Sequence, residues 1–274
     1  MKCVGPLRAL LMLCTAGCSC DGDKVCALLT SSKTTTPATT STAGSAAGIW
    51  TGTDSANGLQ LTGLINVNGQ ADFIRSDGIQ LVGTASVSGT TLNIPLNGYP
   101  QFALQFRDGS TSGTGTFTGT VNSDSTISGA LQFTTASNTA ITGNWSLTFN
   151  SLYNTASSLA TISGTYTGGP PLVSSGSDPL SGSSVTISTS GVLYAQGATN
   201  ACVANGTLAV TNASYNLYEV SYSLANCSGS YAVLNGVQFT GMAELNSLSP
   251  KKLLIAVTSQ GTPAYALVSQ LAAS

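Results

Sequence analysis

Leu59-Gln-Leu-Thr-Gly-Leu-Ile-Asn-Val67 runs straight into Asn68-Gly69, and Gln70-Ala-Asp-Phe-Ile-Arg75 then runs into Asp77-Gly78. This stretch decides the fold. Side chains in a strand alternate between faces, so an apolar/polar alternation marks a half-buried strand. Asn-Gly and Asp-Gly between such runs are type I′ hairpin signals. The pattern recurs along the chain at 59–67, 70–76, 79–87, 91–96, 101–107, 113–121, 126–134 and 140–149. Ser88-Gly89, Asn97-Gly98 and Asp108-Gly109 punctuate it as further turns. Short connections make consecutive strands antiparallel neighbours. About eight strands close readily into a small up-and-down barrel, with a two-sheet sandwich as the rival. Helix signals are few, and Ser151–Thr161 reads as a short helix or a bent linker.

The pattern occurs twice. Gly48-Ile-Trp50-Thr-Gly52 returns as Gly164-Thr-Tyr166-Thr-Gly168, and Asn68-Gly69 as Ser190-Gly191. Thr84-Ala-Ser-Val87 returns as Thr207-Leu-Ala-Val210, and Phe117-Thr-Gly119 as Phe239-Thr-Gly241. Trp145-Ser-Leu147 returns as Tyr265-Ala-Leu267. An offset of about 120 residues, kept across several anchors, marks an internal duplication. The offset changes at the Pro/Gly/Ser-rich insertion Gly169–Ser184. We therefore expect an all-β protein of two tandem antiparallel barrels, 46–160 and 161–274.

Composition narrows the chemistry. The chain has 274 residues, 31 of them Gly, a net charge of -2, 7% charged residues and no histidine. Without histidine there is no Ser-His-Asp triad, Cys-His dyad or His-ligated zinc. Eight scattered cations make no nucleic-acid footprint. The hydrophobic share of 42% is too high for a disordered chain.

The N-terminus reads as an address. Lys2 and Arg8 precede the apolar run Ala9–Ala16, which is too short to cross a bilayer. A charged start, an apolar core and small residues are the marks of a secretory signal, here 1–17. Thr15-Ala16-Gly17-Cys18 resembles the lipobox of bacterial lipoproteins, with Thr15 where that family usually has Leu. The resemblance implies diacylglycerol on Cys18, cleavage before it, and a membrane held through a lipid anchor. Ser19, in place of Asp, implies the outer membrane. Residues 18–45, with Thr34-Thr-Thr-Pro-Ala-Thr-Thr-Ser-Thr42, read as a flexible tether.

Gly48-x-Trp50 at the opening of a barrel resembles the lipocalin and wider calycin group, where the Trp closes one barrel end. With lipobox, tether and Gly-rich β body together, the chain resembles uncharacterised proteobacterial lipoproteins with barrels of the transferrin-binding-protein type. That resemblance implies architecture alone.

Seven cysteines remain to be placed. Cys3 and Cys14 leave with the signal, and Cys202 and Cys227 are the body's own, which predicts a Cys202–Cys227 disulfide in an oxidising compartment. Cys20 and Cys26 pair locally or stay unpaired.

No catalytic, metal or cofactor site is expected. Asp72 and Asp77 beside Arg75 form the tightest acidic cluster; Asp77-Gly78 is better read as a turn and Asp72–Arg75 as a surface pair. Arg107-Asp108-Gly109-Ser110 reads the same way, and Lys251-Lys252 after Pro250 reads as protection of a strand edge. Tyr218 and Tyr222 share one strand face. They are candidates for a ligand or interface surface, against the plainer reading of core packing. The expected function is a non-enzymatic envelope lipoprotein that binds an envelope protein, a glycan or a small apolar ligand. The alternatives are an inhibitor or immunity lipoprotein against a hydrolase, a structural or adhesive module, and a carboxylate hydrolase using Asp72, Asp77 or Asp108.

Overall fold

The computed structural model describes residues 44–122, 125–171, 176–247, 249–259, 261 and 263–274. The signal segment, Cys18, the tether to 43, and Cys20 and Cys26 lie outside the described residues. The first body contains β1 (Gly48–Asp54), β2 (Leu59–Ile65), β3 (Gln70–Arg75), β4 (Ile79–Thr84), β5 (Ser86–Ser88), β6 (Thr91–Pro100), β7 (Gly113–Asn122), β8 (Thr126–Thr135) and β9 (Ala140–Asn150). The second contains β10 (Gly164–Gly168), β11 (Ser184–Ile187), β12 (Val192–Gln196), β13 (Val203–Val210), β14 (Tyr218–Ala225), β15 (Gln238–Asn246), β16 (Lys252–Ser259) and β17 (Ala266–Ala273).

Both bodies are closed antiparallel barrels of eight strands. In the first, β1 pairs with β9, and β4 with β6, while the short β5 extends β4 along the lower half of β6. In the second, β10 pairs with β17. Closure leaves no unpaired edge in either barrel. The expected role of Lys251-Lys252 as an edge guard therefore falls away: Lys252 opens β16, and Lys251 Nζ donates to the carbonyl of Thr161 at 3.1 Å.

Alternation fills each interior. Trp50, Phe73, Phe117, Phe133 and Trp145 pack inside barrel 1. Tyr166, Tyr218, Tyr222 and Phe239 pack inside barrel 2. Trp50 Nε1 donates to the Ala46 carbonyl at 3.0 Å, and Tyr166 Oη to the Ile162 carbonyl at 2.6 Å. Each ring ties the strand to the backbone four residues upstream, so the duplication extends to the closure of one barrel end. It does not extend to Trp145. Trp50 faces Phe149 and Tyr166 faces Ala273. Counting back four residues matches Trp145 with Ser269, not with Tyr265, which stands before β17.

Three other expectations change. Asn68 and Asp77 are absent from the positive-φ residues, whereas Gly69 and Gly78 have φ of 83° and 84°. The hairpins are thus four-residue turns ending in a left-handed glycine, not type I′. Asn66 Oδ1 locks the first by accepting from the backbone N–H groups of Asn68 and Gln70. Asn97-Gly98 is no turn. It lies within β6, where Gly98 makes room for the Phe133 ring, which would stand 2.5 Å from an added Cβ. Residues 101–107 are no strand either. They loop out to insert Phe102 into the core of barrel 2 and return to pack Phe106 into that of barrel 1. Phe102 N–H bonds the Ala266 carbonyl at 2.9 Å, and its ring stacks on Tyr231 and meets Tyr265 edge-on. A buried Phe and these backbone bonds outweigh the local strand pattern. The eighth strand of barrel 1 is instead Gly48–Asp54.

Between the barrels, Ser151–Asn154 forms a 3₁₀ turn and Leu159–Ile162 one turn of helix. The barrels meet through their outer faces: Ile49 and Leu64 pack with Met242, and Ile74 with Ala256 and Val268.

Candidate functional site

The three expected carboxylates have separate partners. Asp72 is on the outer face of β3, yet only 2% exposed, because Leu64 and Ile74 beside it pack on barrel 2. Gln80 Nε2 donates to its Oδ2 at 2.8 Å, and burial pushes its pKa up to about 8. Asp72 Oδ1, Gln80 Oε1 and Gln101 Oε1 are buried oxygen acceptors without partners along this seam. Asp72 is thus a seam residue, not the surface partner of Arg75. Arg75 bonds Asp77 instead, at 2.8 Å. Asp108 accepts from the Thr135 hydroxyl and from the Ser110 N–H, and these bonds hold its carboxyl well below the usual carboxylate range.

Tyr218 and Tyr222 both point into barrel 2 and are buried. Tyr218 Oη reaches the Ser158 carbonyl at 3.4 Å, and the Tyr222 ring stacks on Phe239. Their period-two stripe faces the core.

Barrel 2 encloses a buried polar cluster that no local pattern in the sequence marks. Ser269 leaves open the space that Trp145 fills in barrel 1. The insertion before β11 delivers Asp178 and Leu180 into that interior, both 1% exposed. Asp178 Oδ1 accepts from Ser269 Oγ at 3.0 Å and from Leu180 N–H at 2.9 Å. Burial raises its pKa to about 7, and burial together with the nearby Asp178 charge raises that of Tyr222. Asn200 Nδ2 holds the same insertion through the Pro179 carbonyl at 2.8 Å. Beside it the Cys202–Cys227 disulfide joins the segment before β13 to that after β14. Among the described residues no cluster of three or more His, Cys, Asp or Glu could hold a metal ion, and no helix is long and apolar enough to cross a membrane.

One concave surface lies on the outer face of barrel 1. Asn97, Thr114 and Thr134 stand opposite one another on β6, β7 and β8 and make a three-strand row. Tyr99, Thr111 and Ser112 continue it upward; Asn138, with Gly261, Pro263 and Ala264 of barrel 2, walls it, giving a groove of about 450 Å³. A smaller recess of about 230 Å³, lined by Gln101, Leu104, Gln105 and Tyr265, shares Thr111, Pro263 and Ala264 with it. One wall is braced from behind: Ser110 Oγ donates to Ser137 Oγ at 2.8 Å, and Asp108 holds Thr135.

The strand registers place this groove at the end of barrel 1 where β1 finishes and β6 gives way to the Phe102 segment. The chain reaches β1 at the other end, where Gly44 lies beside Gly89 and residues 44–47 share a recess with Asn66, Asn68 and Val87. No family model matches the chain, and no curated protein matches it.

Proposed function

We propose that this protein is an envelope-anchored, non-enzymatic binding lipoprotein. Lipid on Cys18 would hold it to the outer membrane, residues 18–45 would act as the tether, and the paired barrels would present the inter-barrel groove to a ligand. The observation that carries the reading is polarity along the strands: the chain reaches barrel 1 at one end and the groove opens at the other. A tether joined at that end leaves the groove clear of the point of attachment. Packed barrel interiors favour recognition on the outside, unlike a lipocalin-type chamber. The lipobox and the resemblance to lipoproteins with transferrin-binding-protein-type barrels support the anchor.

Intact mass and fractionation of wild type and Cys18→Ala in a bacterial host test it. The expected result is a membrane-bound wild type carrying acyl mass and an unmodified, soluble Cys18→Ala. A wild type that is soluble and unacylated overturns the anchor.

A further inference from the structure

The groove's chemistry narrows its ligand, on the reading that the protein is a binder. We infer that it takes a neutral, hydroxyl-rich ligand: a segment of an uncharged glycan.

Three observations carry this. The first is the uncommitted floor. Among the described residues, the side chains of Asn97, Thr114 and Thr134, with Tyr99 Oη, make no hydrogen bond, and all four line one concavity. Adjacent strands are about 4.8 Å apart, so the row spans roughly 10 Å. Amides and hydroxyls both donate and accept, as sugar hydroxyls do, so either partner can satisfy the other.

The second is the charge. Among the described residues, no Asp, Glu, Lys or Arg lines the groove. A phosphate, sulfate or carboxylate ligand calls for Arg or Lys. A purely apolar ligand would strip water from the floor's amides and hydroxyls without replacing it. The half-exposed Tyr99 ring and Pro263 supply apolar faces against which the C–H face of a pyranose can lie. The groove's volume falls in the range of small-ligand pockets.

The third is rigidity. The Asp108–Thr135 and Ser110–Ser137 bonds fix the wall from behind, while Phe102, buried in barrel 2, fixes the strand that bears Asn97 and Tyr99. A site already ordered loses little entropy when it binds.

The test uses the purified full chain in detergent, with calorimetric titration of neutral hexose and N-acetylhexosamine oligosaccharides. Heparin and polyphosphate serve as charged probes. The expected result is binding of at least one neutral oligosaccharide at micromolar to millimolar concentration, insensitive to salt. Tyr99→Ala should weaken it about tenfold or more and Asn97→Ala several-fold, with unchanged circular dichroism and melting. Tyr194→Ala, exposed on the outer face of β12, should bind as wild type. Any of four results overturns the inference. They are no neutral oligosaccharide bound at millimolar concentration, only charged polymers bound, Tyr99→Ala binding like wild type, or a protein partner lost in these variants without sugar binding. The anchor stands or falls separately, since Cys18→Ala alters fractionation and leaves sugar titration untouched.

Discussion

Asp72→Asn should make the protein more stable at neutral and alkaline pH. Asp72 is buried in the seam between the barrels, and its folded pKa is raised from 3.8 to about 8. The native state therefore holds the proton over a range where the unfolded chain has released it. Stability from this group is complete below about pH 4 and is lost as pH rises toward 8. Each unit in that window is worth up to about 1.4 kcal/mol. With relaxation of the seam, ionisation costs about 2–4 kcal/mol at pH 7. Asparagine matches the shape of the neutral acid. Its Oδ1 can accept from Gln80 Nε2, and its Nδ2 can donate to a seam carbonyl such as Gln80 Oε1, now without a partner. The gain should appear as a melting temperature about 5–15 °C above wild type at pH 8, shrinking to nearly nothing at pH 4. The assay is thermal and urea unfolding of both proteins from pH 4 to 9. Asp178 and Glu244, whose pKa values burial raises to about 7, destabilise in the same direction as pH rises. They do so in both proteins, and the difference between variant and wild type removes them. A pH-independent difference, or a variant less stable than wild type at pH 8, refutes the argument.

Phe102→Ala should cost about 3–5 kcal/mol, because it empties a site in the core of barrel 2 and removes the ring contacts with Tyr231 and Tyr265; melting and proteolysis between Gln101 and Ser110 report it. Replacing Cys202 and Cys227 together by Ala should cost about 3–4 kcal/mol, since the bond closes a loop of 25 residues; urea unfolding with and without reductant reads this. Gly52→Ala should disrupt the β1–β9 pairing, because the added Cβ would stand 2.0 Å from the Ser146 carbonyl oxygen; loss of the cooperative melt measures it.

The strand period, the turn residues and the duplication are local or simply repetitive signals, and they determine by themselves an all-β chain of two antiparallel units; closure into barrels rather than sandwiches is decided by the β4–β6, β1–β9 and β10–β17 pairings. The same period also placed Tyr218 and Tyr222 on one face, though not which face. Other features depend on groups far apart in the chain, so no local pattern could announce them. Residues 101–107 look like a strand and become a plug, because the interior of barrel 2 offers Phe102 more burial and backbone partners than a ladder in barrel 1 would. Asp72 looks like a surface residue and is buried, because β3 turns its outer face to a second barrel. Trp145 in one barrel and Ser269 with Asp178 in the other fill matching space with opposite chemistry, which only the strand registers reveal. The groove was the least legible part. Asn97 was a turn residue by its sequence, and Thr114 and Thr134 were ordinary strand threonines. They become a row only when β6, β7 and β8 align, and a concavity only when the loop of the second barrel closes one side. Sequence determines which residues alternate and where the chain turns; which faces meet is decided by long-range packing, where burial of whole surfaces outweighs any local preference.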